Sequence, residues 1–213
     1  MELGIDFNIS FNLAKTIFEN LNYDTFKKLK FTQDSLYSSS KITGSKRLLD
    51  VILKTTNNNK DIIITDGTAN IGTDTIYLSK YFKYINSIEI IKESYDALKN
   101  NINILNDKEN IKCINGDSNL EIKKLVQDII YIDAPWGGVN YKNYDTLKLY
   151  LGDTEILDFY KSNKQYSDIF IFKVPYNYDF EYLKKYIEDK IVIYPYKKDN
   201  RVKYFYIVIE KNT

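Results

Sequence analysis

The chain has 213 residues, which fits one domain of ordinary to large size with a real hydrophobic core. It is 44% hydrophobic and 28% charged with a formal net charge of +1, so any basic surface for nucleic acid must be local. One cysteine, Cys113, and no histidine exclude a disulfide framework, cysteine-rich zinc sites and histidine-based catalysis. We therefore expect no metal ion.

The sequence contains no apolar run long enough for a membrane span, and the charged start Met1-Glu2 is unlike a secretory signal. We expect no membrane partner, and a monomer in the cytoplasm, with the nucleus as the alternative location. Residues 1–40 are expected to form a helical extension packed on the core, and residues 41–213 the main domain. Apolar residues at helical spacing support the first helix, at Ile9, Leu13, Ile17 and Leu21.

After a polar, loop-like segment at 34–40, strands alternate with helices. A helix carrying Leu48 to Leu53 comes first. Strands are predicted at 62–64, 85–91, 112–114, 129–132 and 169–174, with helices at 95–105, 120–125 and 183–187. This order predicts an α/β fold with a mostly parallel sheet. The last two strands, at 191–194 and 203–209, are too close for a helical crossover and predict an antiparallel hairpin.

The most informative stretch is the strand at 129–132 followed by Asp133-Ala134-Pro135-Trp136. Pro135 restricts Ala134 to extended backbone, which fixes the direction of the Ala134 carbonyl. The Asp133 carboxylate and that carbonyl could accept both hydrogens of one amino group, and Trp136 could stack on the ring that carries it. The alternative interpretation is a strand-end turn with a core tryptophan.

Acidic residues end four successive predicted strands, at Asp66, Glu89, Asp117 and Asp133. Taken singly, each is more often a helix cap or a solvated turn residue. Four in register indicate a nucleoside-like cofactor, because open α/β sheets bind ligands outside the carboxyl ends of their strands. Glu89 is placed for ribose hydroxyls and Asp117 for an adenine amino group. The spacing from Asp66 to Glu89 also fits the rule of an acid about 20 residues beyond the first turn.

The first of these turns, residues 66–72, leads into a helix and contains Gly67 and Gly72. Such turns bring backbone close to a ligand at a helix start. Asn70 stands where glycine is usual, but asparagine tolerates left-handed backbone. The predicted cofactor-binding residues are Asp66, Gly67, Thr68, Gly72, Thr73, Glu89, Ile90, Asp117, Ser118 and Asp133.

These motifs resemble those of the class I methyltransferases that use S-adenosylmethionine. D-G-T-A-N-I-G is similar to their first glycine motif, I-E-I to the ribose-binding acid, and N-G-D-S to the adenine-side acid. D-A-P-W looks like the D/N-P-P-aromatic motif of enzymes that methylate planar amino groups. The resemblance implies a Rossmann-like fold, S-adenosylmethionine as methyl donor and S-adenosylhomocysteine as product.

A narrower resemblance is to the trimethylguanosine synthases, which methylate the 2-amino group of 7-methylguanosine RNA caps. Their P-W-G-G-P-x-Y, L-P-R-N and F-S-V-T segments are similar to residues 135–141, 172–177 and 37–40. The resemblance covers roughly residues 30–180 and implies capped RNA or a cap nucleotide as partner. The implied catalytic residues are Asp133, Ala134 and Pro135, and the implied residues for the cap base are Trp136, Tyr141 and Asn177.

The chain departs from that family at two positions. Ala134 replaces the first proline of the motif, and Tyr176 replaces an arginine, so we expect Lys41 or Lys173 to supply a phosphate contact. Two alternatives stay open. One is an amino-group methyltransferase that acts on an internal RNA or DNA base or on a protein glutamine. The other is an inactive cap-binding module that retains Trp136, against which the intact acids argue.

Overall fold

The computed structural model describes residues 9–212, apart from the side chain of Val139, so residues 1–8 of the predicted N-terminal extension lie outside the described residues. The chain begins with three short helices, α1 (Phe11–Ile17), α2 (Tyr23–Phe26) and α3 (Ser35–Ser38). The prediction of a loop over 34–40 was wrong for α3. The Thr32 amide donates to the Ser35 hydroxyl at 2.9 Å, and the Ser35 amide donates to the Thr32 hydroxyl at 3.1 Å. This reciprocal pair starts the turn.

The N-terminal helices are fixed to the rest of the domain by apolar packing and by Asn101. Ala14 and Ile17 of α1 belong to a buried cluster that also contains Leu98. The Asn101 side chain accepts a hydrogen bond from the Lys30 amide at 2.9 Å and donates to the Lys30 carbonyl at 2.9 Å. The segment that follows α2 is therefore tied to the domain by both its amide and its carbonyl.

The predicted fold class is confirmed by a sheet of seven strands. They are β1 (Ile63–Asp66), β2 (Tyr84–Glu89), β3 (Ile111–Asn115), β4 (Ile129–Ile132), β7 (Ile169–Pro175), β8 (Lys190–Lys198) and β9 (Arg201–Glu210). Their order in the sheet is β3-β2-β1-β4-β7-β9-β8. Strands β1, β2, β3, β4 and β7 pair in parallel, whereas β9 is antiparallel to both β7 and β8.

Helices cover both faces of this sheet, as expected for βαβ crossovers. They are α4 (Ile42–Thr55), α5 (Thr73–Ser79), α6 (Lys92–Leu105), α7 (Ser118–Glu121), α8 (Ile156–Asn163) and α9 (Phe180–Tyr186). The sequence patterns predicted no element at 142–168, where the structure contains α8 and a two-stranded ribbon of β5 (Tyr150–Leu151) and β6 (Thr154–Glu155). Glu155 caps α8 by accepting the Leu157 amide at 2.9 Å, a signal that the sequence did contain.

Strand β4 is buried on both faces and positions the turn that follows it. Ile130 and Ile132 lie in one core layer, and Ile129 and Tyr131 lie in the other. Burial of each such side chain contributes about 1.5–3 kcal/mol, so β4 is a rigid support for Asp133. Within residues 9–212, none of the helices is long and apolar enough to cross a membrane.

Candidate active site

The carboxyl ends of β1, β2, β3 and β4 bring together the acids that the sequence singled out. The Gly67 amide donates to the Tyr131 carbonyl at 2.9 Å, and the Gly116 amide donates to the Glu89 carbonyl at 3.1 Å. The Asp133 amide donates to the Thr68 hydroxyl at 2.7 Å. With the bond from the Ala69 amide to the Ile88 carbonyl at 2.9 Å, these bonds join the turns after neighbouring strands into one continuous edge.

The turn between β1 and α5 has the left-handed backbone that its sequence predicts. Asn70 has φ of 50° and Gly72 has φ of 95°. A Cβ atom on Gly72 would lie 2.7 Å from the Leu98 side chain, so glycine is required there by space as well as by φ. Thr73, the first residue of α5, is buried. The turn is therefore held close to the domain, with the helix start at its end.

Asp66 ends β1 and is almost completely buried, with 1% exposure. Its carboxylate accepts the Thr75 hydroxyl at 2.6 Å and the Thr68 amide at 3.3 Å. Burial raises the pKa of Asp66 to about 7, because these neutral donors only partly offset the loss of water. Asp66 therefore changes its charge near neutral pH.

Glu89 and Asp117 are both fixed by hydrogen bonds to nearby backbone. Glu89 accepts the amides of Asn70 at 2.8 Å and Ile91 at 2.7 Å, and burial raises its pKa. Asp117 caps α7 by accepting the Asn119 amide at 2.8 Å. The Asp117 Oδ1 also accepts the Asn119 Nδ2 at 2.9 Å, so its Oδ2 and the two Glu89 oxygens are the atoms that keep capacity for a ligand.

Two aliphatic side chains next to these acids are exposed to solvent. Ile90, just after Glu89, is 63% exposed, and Leu120, three residues after Asp117, is 58% exposed. Exposed aliphatic groups beside fixed carboxylates suit a ligand with a flat ring and a ribose, so these residues fit S-adenosylmethionine. Ile90 was predicted, whereas Leu120 was missed because we assigned it only as the start of a helix over 120–125. Ser118, also predicted, donates its hydroxyl to the Gly67 carbonyl.

Asp133 forms a buried ion pair with Lys173 on β7, which the sequence did not reveal. The Lys173 Nζ lies 2.6 Å from the Asp133 Oδ2, and the two side chains are 8% and 18% exposed. Burial raises the pKa of Asp133 and Lys173 opposes that rise. Burial likewise disfavours the Lys173 charge, but Asp133 and Asp74 raise the pKa of Lys173. Each partner therefore favours the charged form of the other, against the effect of burial.

The position of Lys173 differs from the phosphate contact that we expected. Its ammonium lies inside the domain on Asp133 and also donates to the Ser40 hydroxyl at 3.0 Å. A buried ammonium engaged in this way is not placed for a phosphate at the surface. Lys41, which immediately precedes α4, is partly exposed and stays a candidate for that role, and burial lowers its pKa.

A second buried acid, Asp74, extends this network. Its carboxylate accepts hydroxyl hydrogen bonds from Ser40 at 2.7 Å, Ser45 at 2.6 Å and Tyr131 at 3.1 Å. Asp74 was not predicted. The available signal was an acid within α5, a helix whose residues are all buried. The network links α4, α5, β4 and β7 behind the Asp133 carboxylate.

Trp136 lies beside the ion pair, and two tyrosine rings are inclined against its ring. Its ring centroid is 5.2 Å from that of Tyr141 at an interplanar angle of 72°, and 6.1 Å from that of Tyr204 at 56°. The Lys173 Nζ is 5.9 Å from the Trp136 ring. The Trp136 Nε1 is buried and has no hydrogen-bond partner among residues 9–212. Tyr204 was missed because it lies on β9, far away in sequence.

Asn177, predicted to bind the substrate, holds the loop that carries Tyr141. Its Nδ2 donates to the carbonyls of Tyr141 at 3.0 Å and Tyr144 at 2.7 Å. Its Oδ1 is buried without a partner in the described part of the chain. Of the turn itself, Ala134 is buried and Pro135 is exposed. No group of three or more His, Cys, Asp or Glu side chains within 9–212 is arranged to hold a metal ion.

Several solved structures with similar folds are methyltransferases by description. The human methyltransferase 10 domain containing protein matches with a TM-score of 0.62 and 10% identity, covering 85% of this chain and 88% of that one. A protein from Porphyromonas gingivalis W83, assigned as a methyltransferase, matches with a TM-score of 0.65 and 18% identity over 84% of this chain and 42% of that one. At these identities the likeness shows the fold alone.

Sequence comparisons are more specific. Uncharacterized protein L320 of Acanthamoeba polyphaga mimivirus is 37% identical over 157 residues, which cover 71% of this chain and 59% of L320. The chain thus spans less than two thirds of the length of that relative. The family model for RNA cap guanine-N2 methyltransferases matches residues 62–212. Because this match extends over well more than half of the chain, the chain belongs to the RNA cap guanine-N2 methyltransferase family and carries an S-adenosylmethionine-dependent methyltransferase domain.

Proposed function

We propose that this domain methylates the exocyclic 2-amino group of a 7-methylguanosine RNA cap. The observation that carries the proposal is the buried Asp133–Lys173 pair directly beside Trp136, at the edge of the sheet that presents the cofactor acids. A fixed carboxylate next to an aromatic face suits a flat base that bears an amino group. The family match supports the same substrate class.

The cofactor residues are those at the ends of β1 to β3. In our proposal, Glu89 receives the ribose hydroxyls, Asp117 the adenine amino group, and the apolar side chains of Ile90 and Leu120 contact the adenine ring. The turn from Asp66 to Thr73, including Gly67, Thr68 and Gly72, lies along the rest of the cofactor. When bound, S-adenosylmethionine supplies a methyl group on a sulfonium, which is electrophilic without any metal or histidine.

Asp133 and Ala134 orient the accepting amine. The Asp133 Oδ2 is paired with Lys173, so Oδ1 remains to accept one amine hydrogen, and the Ala134 carbonyl accepts the other. The nitrogen lone pair is then directed toward the methyl group, and orientation of this kind is the main requirement of an in-line transfer. As the nitrogen–carbon bond forms and the methyl–sulfur bond breaks, positive charge moves from sulfur to the nitrogen, where the Asp133 carboxylate stabilises it. The methylated nitrogen then loses one of its two hydrogens to solvent as a proton.

Lys173 acts through Asp133 and is therefore a positioning residue. Without a cation, a buried carboxyl group favours its neutral form, which would be a poorer acceptor for the amine and would not stabilise positive charge. Lys173 keeps the carboxylate ionised and fixes which oxygen faces the substrate. Lys173 also lowers the proton affinity of Asp133. Asp133 therefore contributes by orienting the amine and stabilising its charge, rather than by removing a proton from the amine before transfer.

Trp136 provides selectivity for the 7-methylated base. That base is cationic, and a tryptophan face attracts a cation with roughly 0.5–2 kcal/mol. Tyr141 and Tyr204 pack against the Trp136 ring at steep angles and hold it in place, and Asn177 binds the loop that carries Tyr141. Lys41 is our candidate for a cap phosphate.

The proposal is tested with labelled S-adenosylmethionine and free cap nucleotides, with and without the 7-methyl group. We expect label to enter the 7-methylated nucleotide far faster. Equal rates on both nucleotides would contradict recognition of the cation and favour a general base methyltransferase. As a control, S-adenosylhomocysteine at 100 times its dissociation constant should stabilise the protein by about 2.7 kcal/mol. The absence of any thermal shift at millimolar S-adenosylhomocysteine would contradict the cofactor assignment.

A further inference from the structure

The β8–β9 hairpin extends past the edge of the sheet at which the site lies. Pro175, the last residue of β7, pairs with Tyr204, whereas β9 begins three residues earlier at Arg201. Since β7 runs toward the ligand edge, residues 197–203 project beyond it by roughly 10 Å at about 3.3 Å per residue. We call residues 197–203 the hairpin tip.

The hairpin tip is strongly basic. It contains one acid and four exposed cations, a net charge of +3 in a chain whose formal net charge is +1. The cations are Lys197, Lys198, Arg201 and Lys203. None of them forms an ion pair within residues 9–212.

The two ends of the same hairpin differ in how their charges are paired. At the far end, Lys190 lies opposite Glu210 and forms an ion pair at 2.9 Å. At the tip, Lys198 lies opposite Arg201. Like charges directly opposite each other across two strands are destabilising, so this pair works against the fold. A bound polyanion would relieve that repulsion.

Stacked rings fix the hairpin tip relative to Trp136. The Tyr196 and Tyr204 rings are parallel within 5°, with centroids 4.5 Å apart, and Tyr204 contacts Trp136. Tyr196 immediately precedes the tip and Tyr204 immediately follows it. The base site and the tip are therefore joined by three aromatic residues, and a chain leaving the base site in this direction meets the four cations.

We propose that the hairpin tip binds the phosphates of the RNA chain that follows the cap. This inference rests on the proposed function for the cap base, because it takes that base as the anchor of the RNA. A basic surface close to aromatic rings is the usual composition of sites for single-stranded nucleic acid. The competing explanation is that these charges only protect the exposed edge strand β8 from pairing with another molecule.

The test compares two charge reversals, Lys198→Glu at the tip and Lys112→Glu on β3, the strand at the opposite edge of the sheet. Lys112 is also exposed and unpaired in the described residues, so the two variants change the net charge equally. Lys198→Glu places a carboxylate opposite Arg201 and should fold at least as stably as the parent. It also keeps a charge on the edge strand, which preserves protection against aggregation.

We expect Lys198→Glu to raise the dissociation constant of a capped single-stranded oligonucleotide on the order of tenfold, measured by fluorescence anisotropy. The slope of log affinity against log salt should fall by about 0.7, the value for one phosphate contact on a single strand. Lys112→Glu should change neither quantity. Both variants should methylate the free cap nucleotide with parental kinetics.

Unchanged oligonucleotide affinity in a folded Lys198→Glu variant would overturn the proposal and leave edge protection as the role of these charges. An equal loss of affinity for the free cap nucleotide would overturn the proposal as well, because the tip would then belong to the base site. Failure of the proposed function has a separate signature, since the unmodified protein would then methylate neither substrate. Oligonucleotide binding does not depend on methylation and would still be measurable.

Discussion

The two halves of the site satisfy their buried acids by different means. At the ends of β1 and β2, Asp66 and Glu89 accept hydrogen bonds from hydroxyl groups and backbone amides. At the end of β4, Asp133 pairs with the Lys173 ammonium. Burial raises the pKa of all three carboxyls, and Lys173 opposes that rise at Asp133.

This difference corresponds to different tasks. Neutral donors hold a carboxyl group in place but leave its charge dependent on pH, which is sufficient where hydrogen bonding to a bound nucleoside is required. A buried cation keeps the carboxylate charged, which is needed where positive charge develops during transfer. In the proposed mechanism, the cofactor half orients its ligand, and the substrate half stabilises a change in charge.

The largest expected effect comes from Asp133, the acid that has the cation. Asp133→Ala should lower kcat and kcat/KM together by about 100- to 1000-fold, because the lost interaction is made mainly in the transition state. Asp133→Asn keeps the shape and one acceptor and should retain part of the activity. Steady-state kinetics on a 7-methylated cap nucleotide measure both variants.

Binding measurements keep that result interpretable. Calorimetry with S-adenosylhomocysteine and with the cap nucleotide should show that both variants still bind their ligands. If Asp133→Ala folds, binds both ligands and turns over at the parental rate, the turn after β4 is structural and the mechanism is wrong.

Asp66 should affect stability instead of rate, because its ionisation near neutral pH changes the free energy of unfolding. Its pKa is about 7 in the folded protein against an ordinary value of 3.8, so its neutral form is favoured by folding. The stabilisation that neutral Asp66 provides is fully present below pH 3.8 and is lost as pH rises through about 7. Between pH 5 and pH 8 the parent should lose about 3 kcal/mol of stability through this group.

Asp66→Asn cannot ionise and should lack this loss. Urea unfolding at pH 5 and pH 8 gives the free energy of unfolding of the parent and of the variant. The contributions of other titrating groups cancel in the difference between the two proteins. Parallel pH dependence in the two proteins would show that Asp66 is not held in the environment described here.

Lys173→Met separates the charge of Asp133 from its position. Loss of the nearby cation should raise the Asp133 pKa further, so activity at pH 7 should fall, by no more than the about 100- to 1000-fold expected for loss of the carboxylate itself, and should recover as pH rises. Lys173→Arg retains the charge and should keep the parental pH profile. Removal of one partner from a buried pair costs about 3–5 kcal/mol, so folding of Lys173→Met must be confirmed first.

Two outcomes would contradict the role of Lys173 in keeping Asp133 charged. A folded Lys173→Met variant with the parental pH profile would show that Lys173 does not control the ionisation of Asp133. If Lys173→Met does not fold, a loss of the parental pH profile in Lys173→Arg would contradict the role of the charge.

The smallest expected effect is on selectivity. Trp136→Ala should reduce the preference for 7-methylated over unmethylated cap nucleotides by about 2- to 30-fold, which corresponds to a cation–π contribution of roughly 0.5–2 kcal/mol. The ratio of the two kcat/KM values measures it, and the affinity for S-adenosylhomocysteine should be unchanged. A preserved ratio would assign selectivity to residues other than Trp136.

The difference between the cofactor half and the substrate half also explains which parts of the site the sequence could predict. In the cofactor half, the bonds that fix the acids are local, since Asp66 accepts the Thr68 amide and Glu89 accepts the Ile91 amide, each two residues away. Motifs of that kind are continuous in sequence, and the order of strands and helices followed from hydrophobic periodicity.

The substrate half depends on contacts between distant residues. Lys173 is 40 residues from Asp133 and 133 residues from Ser40, and no local pattern distinguishes it from the many exposed lysines. Tyr204 meets Trp136 only because β9 inserts between β7 and β8. We therefore predicted the residues of the turn after β4, but assigned Lys173 to a phosphate instead of Asp133 and did not predict Tyr204.

The most direct test of methylation at the 2-amino group compares 7-methylguanosine and 7-methylinosine cap nucleotides as methyl acceptors. The inosine base carries the same positive charge for Trp136 but lacks the 2-amino group that Asp133 and Ala134 would hold. We predict that labelled methyl enters the guanosine nucleotide alone, while the inosine nucleotide still binds as a competitive inhibitor. Transfer of label to the inosine nucleotide would contradict methylation at the 2-amino group.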